Sequence, residues 1–129
     1  MKTVILCGGK GTRLREETEY RPKPMVPIGE RPILWHIMER YARYGHKDFV
    51  LCLGYKGDLI RDYFKNHAWH NRDVTLELGR PEAPRFHTPQ IDADWQVTLC
   101  ETGLNALTAD RLRAVRSHVG QATFFLTYG

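Results

Sequence analysis

The residues best placed to do chemistry form a run of glycines and cations, Leu6-Cys7-Gly8-Gly9-Lys10-Gly11-Thr12-Arg13, at the end of a short apolar stretch. Glycines there let the backbone turn sharply, lie close to a ligand and present successive N–H groups to an anion. Arg13 adds a planar guanidinium suited to phosphate oxygens. The pattern is not a Walker A loop, which needs Gly-Lys-Ser/Thr at the helix start. Nor is it the GxGxxG dinucleotide pattern, because position 14 is Leu14. The glycines alone are equally consistent with a plain tight turn.

A second candidate is Lys23, within Arg21-Pro22-Lys23-Pro24-Met25. Prolines on both sides stiffen the backbone and reduce the entropy lost in aiming one ammonium group. An exposed lysine in a proline-rich loop is the competing reading. The histidines carry no metal pattern: His36 sits among apolar helix positions, and His67 and His70 lack a third ligand nearby. Cys7, Cys52 and Cys100 each lie in an apolar run without a CxxC spacing, which points to buried free thiols rather than disulfides or zinc ligands.

These side chains need a scaffold, and the apolar patterning supplies one. Residues 3–7 and 49–53 are continuous apolar runs that stop at glycine, the pattern of buried parallel strands. Pro32 can open a helix whose Ile33, Leu34, Ile37, Met38 and Tyr41 share a face, with Gly45 as its stop. Asp58 can cap a short helix carrying Leu59, Ile60, Tyr63 and Phe64, and Thr108 one carrying Leu112, Val115 and Val119. Val74, Leu76 and Leu78 alternate as a half-exposed strand does, as do Trp95, Val97 and Leu99. Residues 79–94 read as loop and 122–128 as a last buried strand. The resulting order, β-α-β-α-β-β-α-β, predicts an α/β fold: a Rossmann-like, mainly parallel sheet with helices on both faces. Ligands then bind at the carboxyl ends of the strands, which selects the loops after Cys7 and Leu53 and whatever follows Tyr128.

Composition narrows the partners. The 129 residues are 42% hydrophobic and 26% charged, which is globular rather than disordered. A net charge of +4 is spread along the chain, so a small anion explains it as well as a nucleic acid, and no nucleic acid is expected. No apolar run reaches membrane-spanning length, and the N-terminus does not read as a signal peptide, so a cytoplasmic protein with no membrane contact is expected.

Taken together, GGxGTRL after the first strand followed by Pro-Lys-Pro-Met resembles the sugar-1-phosphate nucleotidyltransferases. Pro32-Ile33-Leu34-Trp35-His36-Ile37-Met38, Gly54-Tyr55-Lys56-Gly57, Asp62-Tyr63-Phe64, Thr102-Gly103 and Phe125-Leu126-Thr127-Tyr128-Gly129 are similar to the glucose-1-phosphate cytidylyltransferase branch. The resemblance implies that residues 1–129 are the nucleotide-binding, N-terminal part of such a domain. It implies transfer of a cytidylyl group from CTP to glucose 1-phosphate, giving CDP-glucose and pyrophosphate in nucleotide-sugar biosynthesis, with Mg2+ as cofactor and a homo-oligomeric assembly. Leu6, Cys7, Gly8, Gly9 and Lys10 would line base and ribose. Gly11, Thr12 and Arg13 would hold the triphosphate, Lys23 would bridge the two substrates' phosphates, and Arg111 would contact the cytosine. Ala106 stands where the family places a hydroxyl residue facing the nucleotide. Arg13 and Lys23 are the catalytic candidates.

Two departures from the family pattern bear on these roles. Ala109-Asp110 replaces a Gly-Gly pair before Arg111, and a carboxylate there could accept from the cytosine amine or disturb the pocket. The family aspartate that binds magnesium follows the position of Gly129, so no metal ligand is expected within 1–129 and residues 1–129 alone are expected to be inactive. Three alternatives are carried: another nucleotide such as UTP or dTTP, another sugar phosphate, and a non-catalytic nucleotide-binding fragment.

Overall fold

The computed structural model describes residues 1–9, 20–69, 72–87 and 94–129. Strand β1 (Lys2–Leu6) is followed by a short 3-10 turn at Lys23–Met25 and a tight antiparallel pair, β2 (Pro27–Ile28) and β3 (Arg31–Pro32). Helix α1 (Ile33–Arg43), β4 (Asp48–Leu53), α2 (Gly57–Lys65), β5 (Val74–Thr75) and β6 (Arg85–Phe86) come next. The chain then forms β7 (Gln96–Glu101), α3 (Thr108–Ala114), α4 (Arg116–Val119) and β8 (Phe124–Tyr128).

Four strands make one parallel sheet in the order β7-β4-β1-β8. The register places Leu6 beside Cys52 and Tyr128, and Leu53 beside Glu101. All four strands therefore release their loops at the same edge. The two central strands are apolar on both faces because both faces are covered. Ile5, Phe49, Leu51 and Leu53 pack on Leu34 and Met38 of α1 and Ile60 of α2. Val4, Leu6, Val50 and Cys52 pack on Val115 and Val119 beside α3 and α4. This is the predicted α/β arrangement, with helices on both faces of a mainly parallel sheet.

Several local expectations are corrected. Asp58 is not the cap of α2. Lys56 holds that position with φ 50, and Asp58 lies in the first turn. Thr108 is the first residue of α3, with Leu107 at the cap; the cap's N–H donates to Asp110 Oδ2 at 3.2 Å. The single helix expected over Thr108 and Val119 breaks at Val115, whose φ −99 and ψ 5 lie between α3 and α4. Only Val74–Thr75 of the alternating stretch forms a strand, and Leu76 and Leu78 are exposed. Part of the expected loop 79–94 pairs with that strand, as β6. The last strand begins at Phe124 and is half-exposed rather than buried, because β8 is the edge of the sheet.

Candidate functional site

Three loops meet where β1, β4 and β7 end, and one side chain ties them together. Arg111 lies in α3, 6% exposed. Its Nη1 donates to Thr102 Oγ1 at 2.7 Å and Leu53 O at 3.5 Å. Its Nη2 donates to Gly8 O at 3.3 Å and Leu104 O at 3.5 Å. Among the described residues no carboxylate pairs with it. A buried guanidinium solvated only by neutral oxygens keeps most of its field, which favours an electron-rich ligand beside it.

The glycines are the condition for this arrangement. A Cβ on Gly8 would fall 1.9 Å from Arg111 Nη1. A Cβ on Gly54 would sit 2.7 Å from the Gly103 carbonyl and 2.8 Å from Arg111 Nη1. Any side chain at either position would push the guanidinium aside.

Beside this knot lies a cavity of about 400 Å³. Leu6, Cys7, Gly8 and Gly9 form its wall from the end of β1; Lys23 reaches it from the 3-10 turn; Ala106 and Arg111 close it from the α3 side. The structure therefore brings these seven candidates to one place. Lys10, Gly11, Thr12 and Arg13 lie outside the described residues. Leu107, Thr108 and Tyr128 also line the cavity, and the sequence reading had given them no role there.

Charges and thiols divide clearly. Lys23 is exposed and Arg111 buried. Burial pushes the Cys7 thiol far above its ordinary value, with Cys52 raising it further and Arg111 drawing it partly back. Burial also pushes Cys52 up to about 11, helped by Cys100. Both stay neutral near pH 7, so Cys7 is an apolar wall of the cavity and not a nucleophile. Asp110 is committed to its own helix. Besides capping Leu107 it pairs through Oδ1 with Arg113 at 3.1 Å, and it does not line the cavity.

A divalent cation finds no ligand set here. Among the described residues no three His, Cys, Asp or Glu side chains come together. No helix among them is long and apolar enough to cross a membrane.

The parallel sheet with its cavity at the strand ends is the scaffold of a known family: residues 2–90 match the nucleotidyl transferase family, to which the chain belongs. It is 48% identical over 130 residues to the glucose-1-phosphate cytidylyltransferase of Salmonella typhimurium and, equally, to that of Salmonella typhi. Each match covers 100% of this chain and 50% of the relative, so the chain spans about half the length of these relatives. The crystal structure of HddC from Yersinia pseudotuberculosis, complexed with GMP-PN, superposes with a TM-score of 0.67 at 26% identity, covering 98% of this chain and 46% of that one.

Proposed function

We propose that this chain supplies the nucleotide-holding half of an enzyme that transfers a cytidylyl group from CTP to glucose 1-phosphate. The observation that carries the reading is the cavity at the strand ends, where the glycine wall, Lys23 and a buried Arg111, without a carboxylate partner among the described residues, converge. The named activity of the full-span relatives supports the choice of substrates.

In the proposed step an oxygen of the sugar phosphate attacks the α-phosphorus of CTP. A P–O bond forms there as the bond to the β-phosphate oxygen breaks, and pyrophosphate leaves with the electron pair. Bringing two anions into line and offsetting their charge is most of the work. Lys23, exposed at the cavity rim, is placed to approach phosphates of both substrates. Arg111 supplies a fixed positive field from the wall. Arg13 is proposed to offset charge on the leaving pyrophosphate. Magnesium is the expected cofactor, and the described residues do not offer it a ligand set. Because the Asp110 carboxylate is turned to its own helix, the Ala109-Asp110 departure does not itself put a carboxylate into the cavity.

The test is pyrophosphate release by the intact protein with glucose 1-phosphate and each nucleoside triphosphate in turn. Release that is greatest with CTP supports the reading. Greatest release with UTP or dTTP would retain the reaction and replace the base, and no release with any pair would overturn it.

A further inference from the structure

We propose that Thr102 is a positioning residue of this cavity, acting through Arg111. The inference rests on the reading of the cavity as a nucleotide site. Thr102 is the first residue after β7 and does not itself line the cavity. Its hydroxyl donates to Leu53 O at 2.8 Å, and its backbone N–H donates to the same carbonyl at 2.9 Å. A hydroxyl has one proton, so once that proton is given to Leu53 the oxygen faces Arg111 purely as an acceptor. The Nη1–Oγ1 contact of 2.7 Å is shorter than the other three guanidinium bonds, which run from 3.3 to 3.5 Å.

The consequence is a fixed rotation of the guanidinium. With Nη1 held at Thr102, Nη2 falls against the carbonyls of Gly8 and Leu104. On the Gly8 side the guanidinium occupies the space that a side chain would take, since a Cβ on Gly8 would fall 1.9 Å from Arg111 Nη1. Thr102 thereby aims a charge it does not carry and ties the end of β7 to the ends of β4 and β1. Valine has nearly the same shape but no oxygen. Serine keeps the oxygen and loses only the methyl.

The test compares the intact wild-type protein with Thr102→Val and Thr102→Ser, measuring CTP affinity by calorimetry and the melting temperature of each. Thr102→Val is expected to bind CTP about tenfold more weakly, the scale of a hydrogen bond to a charged group. Thr102→Ser is expected to stay within about twofold of wild type and to rescue the defect. Unchanged affinity in Thr102→Val, or a Thr102→Ser protein as weak as the valine variant, overturns the proposal while leaving the nucleotide reading intact. A wild-type protein that shows no saturable nucleotide binding overturns the nucleotide reading and the proposal with it. If the valine variant does not fold, nitrogen-15 spectra of the wild-type Arg111 side chain decide. Resolved, slowly exchanging Nη signals support a locked guanidinium, and signals averaged by free rotation overturn it.

Discussion

Two cations face the same cavity and are held in opposite ways. Arg111 is buried and bonded to four protein oxygens from four loop and strand-end residues. Lys23 is exposed on a proline-flanked turn whose own bonds are local: Met25 N–H to Pro22 O, and Val26 N–H to Lys23 O. Moving Arg111 breaks bonds to three elements at once, whereas the exposed Lys23 side chain can move without breaking a bond of the sheet. One charge is built into the architecture and the other is carried on a local turn at the cavity's edge.

The contrast is broken most severely by removing Arg111. Arg111→Ala removes a buried donor from the carbonyls of Gly8, Leu53 and Leu104 and from the Thr102 oxygen, leaving Leu53 O to the Thr102 hydroxyl and N–H and Gly8 O to the Tyr55 N–H at 3.4 Å. It is expected to lower the unfolding free energy by about 3 kcal/mol, read by urea denaturation. A loss no larger than that of a surface substitution would mean that the knot is not structural. Gly8→Ala attacks the same place from the other side. The overlap of its methyl with the guanidinium is expected to lower stability by about 2 kcal/mol and to weaken CTP binding.

The thiols on the buried side offer a pH test. Burial holds Cys52 at about 11, against 9.0 for an ordinary thiol. At pH 8 the group is neutral in both folded and unfolded chains, and its contribution is fully present. Between pH 9 and 11 the unfolded chain ionises first, so stability falls by up to about 1.4 kcal/mol per pH unit. Denaturation midpoints at pH 8 and pH 10 should therefore draw closer together in Cys52→Ala than in wild type.

Lys23→Ala should have the smallest effect on the fold, within about 0.5 kcal/mol. Its turnover in pyrophosphate release should nevertheless fall by about 10², as loss of a positioned charge donor typically produces. If stability fell as well, the two cations would be of one kind and the comparison would fail.

Much of the scaffold was readable because buried parallel strands have a strong one-dimensional pattern. The runs through Val4-Ile5-Leu6 and Phe49-Val50-Leu51-Cys52-Leu53 end at glycine, and the α1 stripe through Leu34 and Met38 faces them. Half-exposed strands were harder to read. Leu76 and Leu78 alternate correctly yet find no ladder, since alternation records a face and not a partner. Phe124, Phe125 and Leu126 look like another buried run, but their position at the sheet edge is a property of topology.

At the site, Gly8 and Lys23 declared themselves through local backbone chemistry. Gly54 was marked as a strand end, but its need to be glycine comes from a guanidinium supplied by α3. The hydroxyl of Thr102 gave no local signal, because its acceptor lies 49 residues away. The preference of Asp110 for its own helix depends on where the cap falls, and a shift of one residue from Thr108 to Leu107 changes what the carboxylate does.

The bond from Arg111 to Gly8 spans 103 residues of sequence, and the one to Leu53 spans 58. Contacts of such separation form late, after the loop-closure entropy of the intervening chain has been overcome. A growing polypeptide therefore carries its glycine turn through the addition of the next 103 residues with no Arg111 guanidinium to hold it. During that interval the end of β1 has backbone carbonyls to offer but lacks the buried charge that Arg111 later brings to them. On the proposed reading, the share of ligand affinity that depends on Arg111 arrives only when α3 docks. Slowing the docking of α3 should lengthen the lag before nucleotide protects the chain from proteolysis, even if β1 and β4 have already paired.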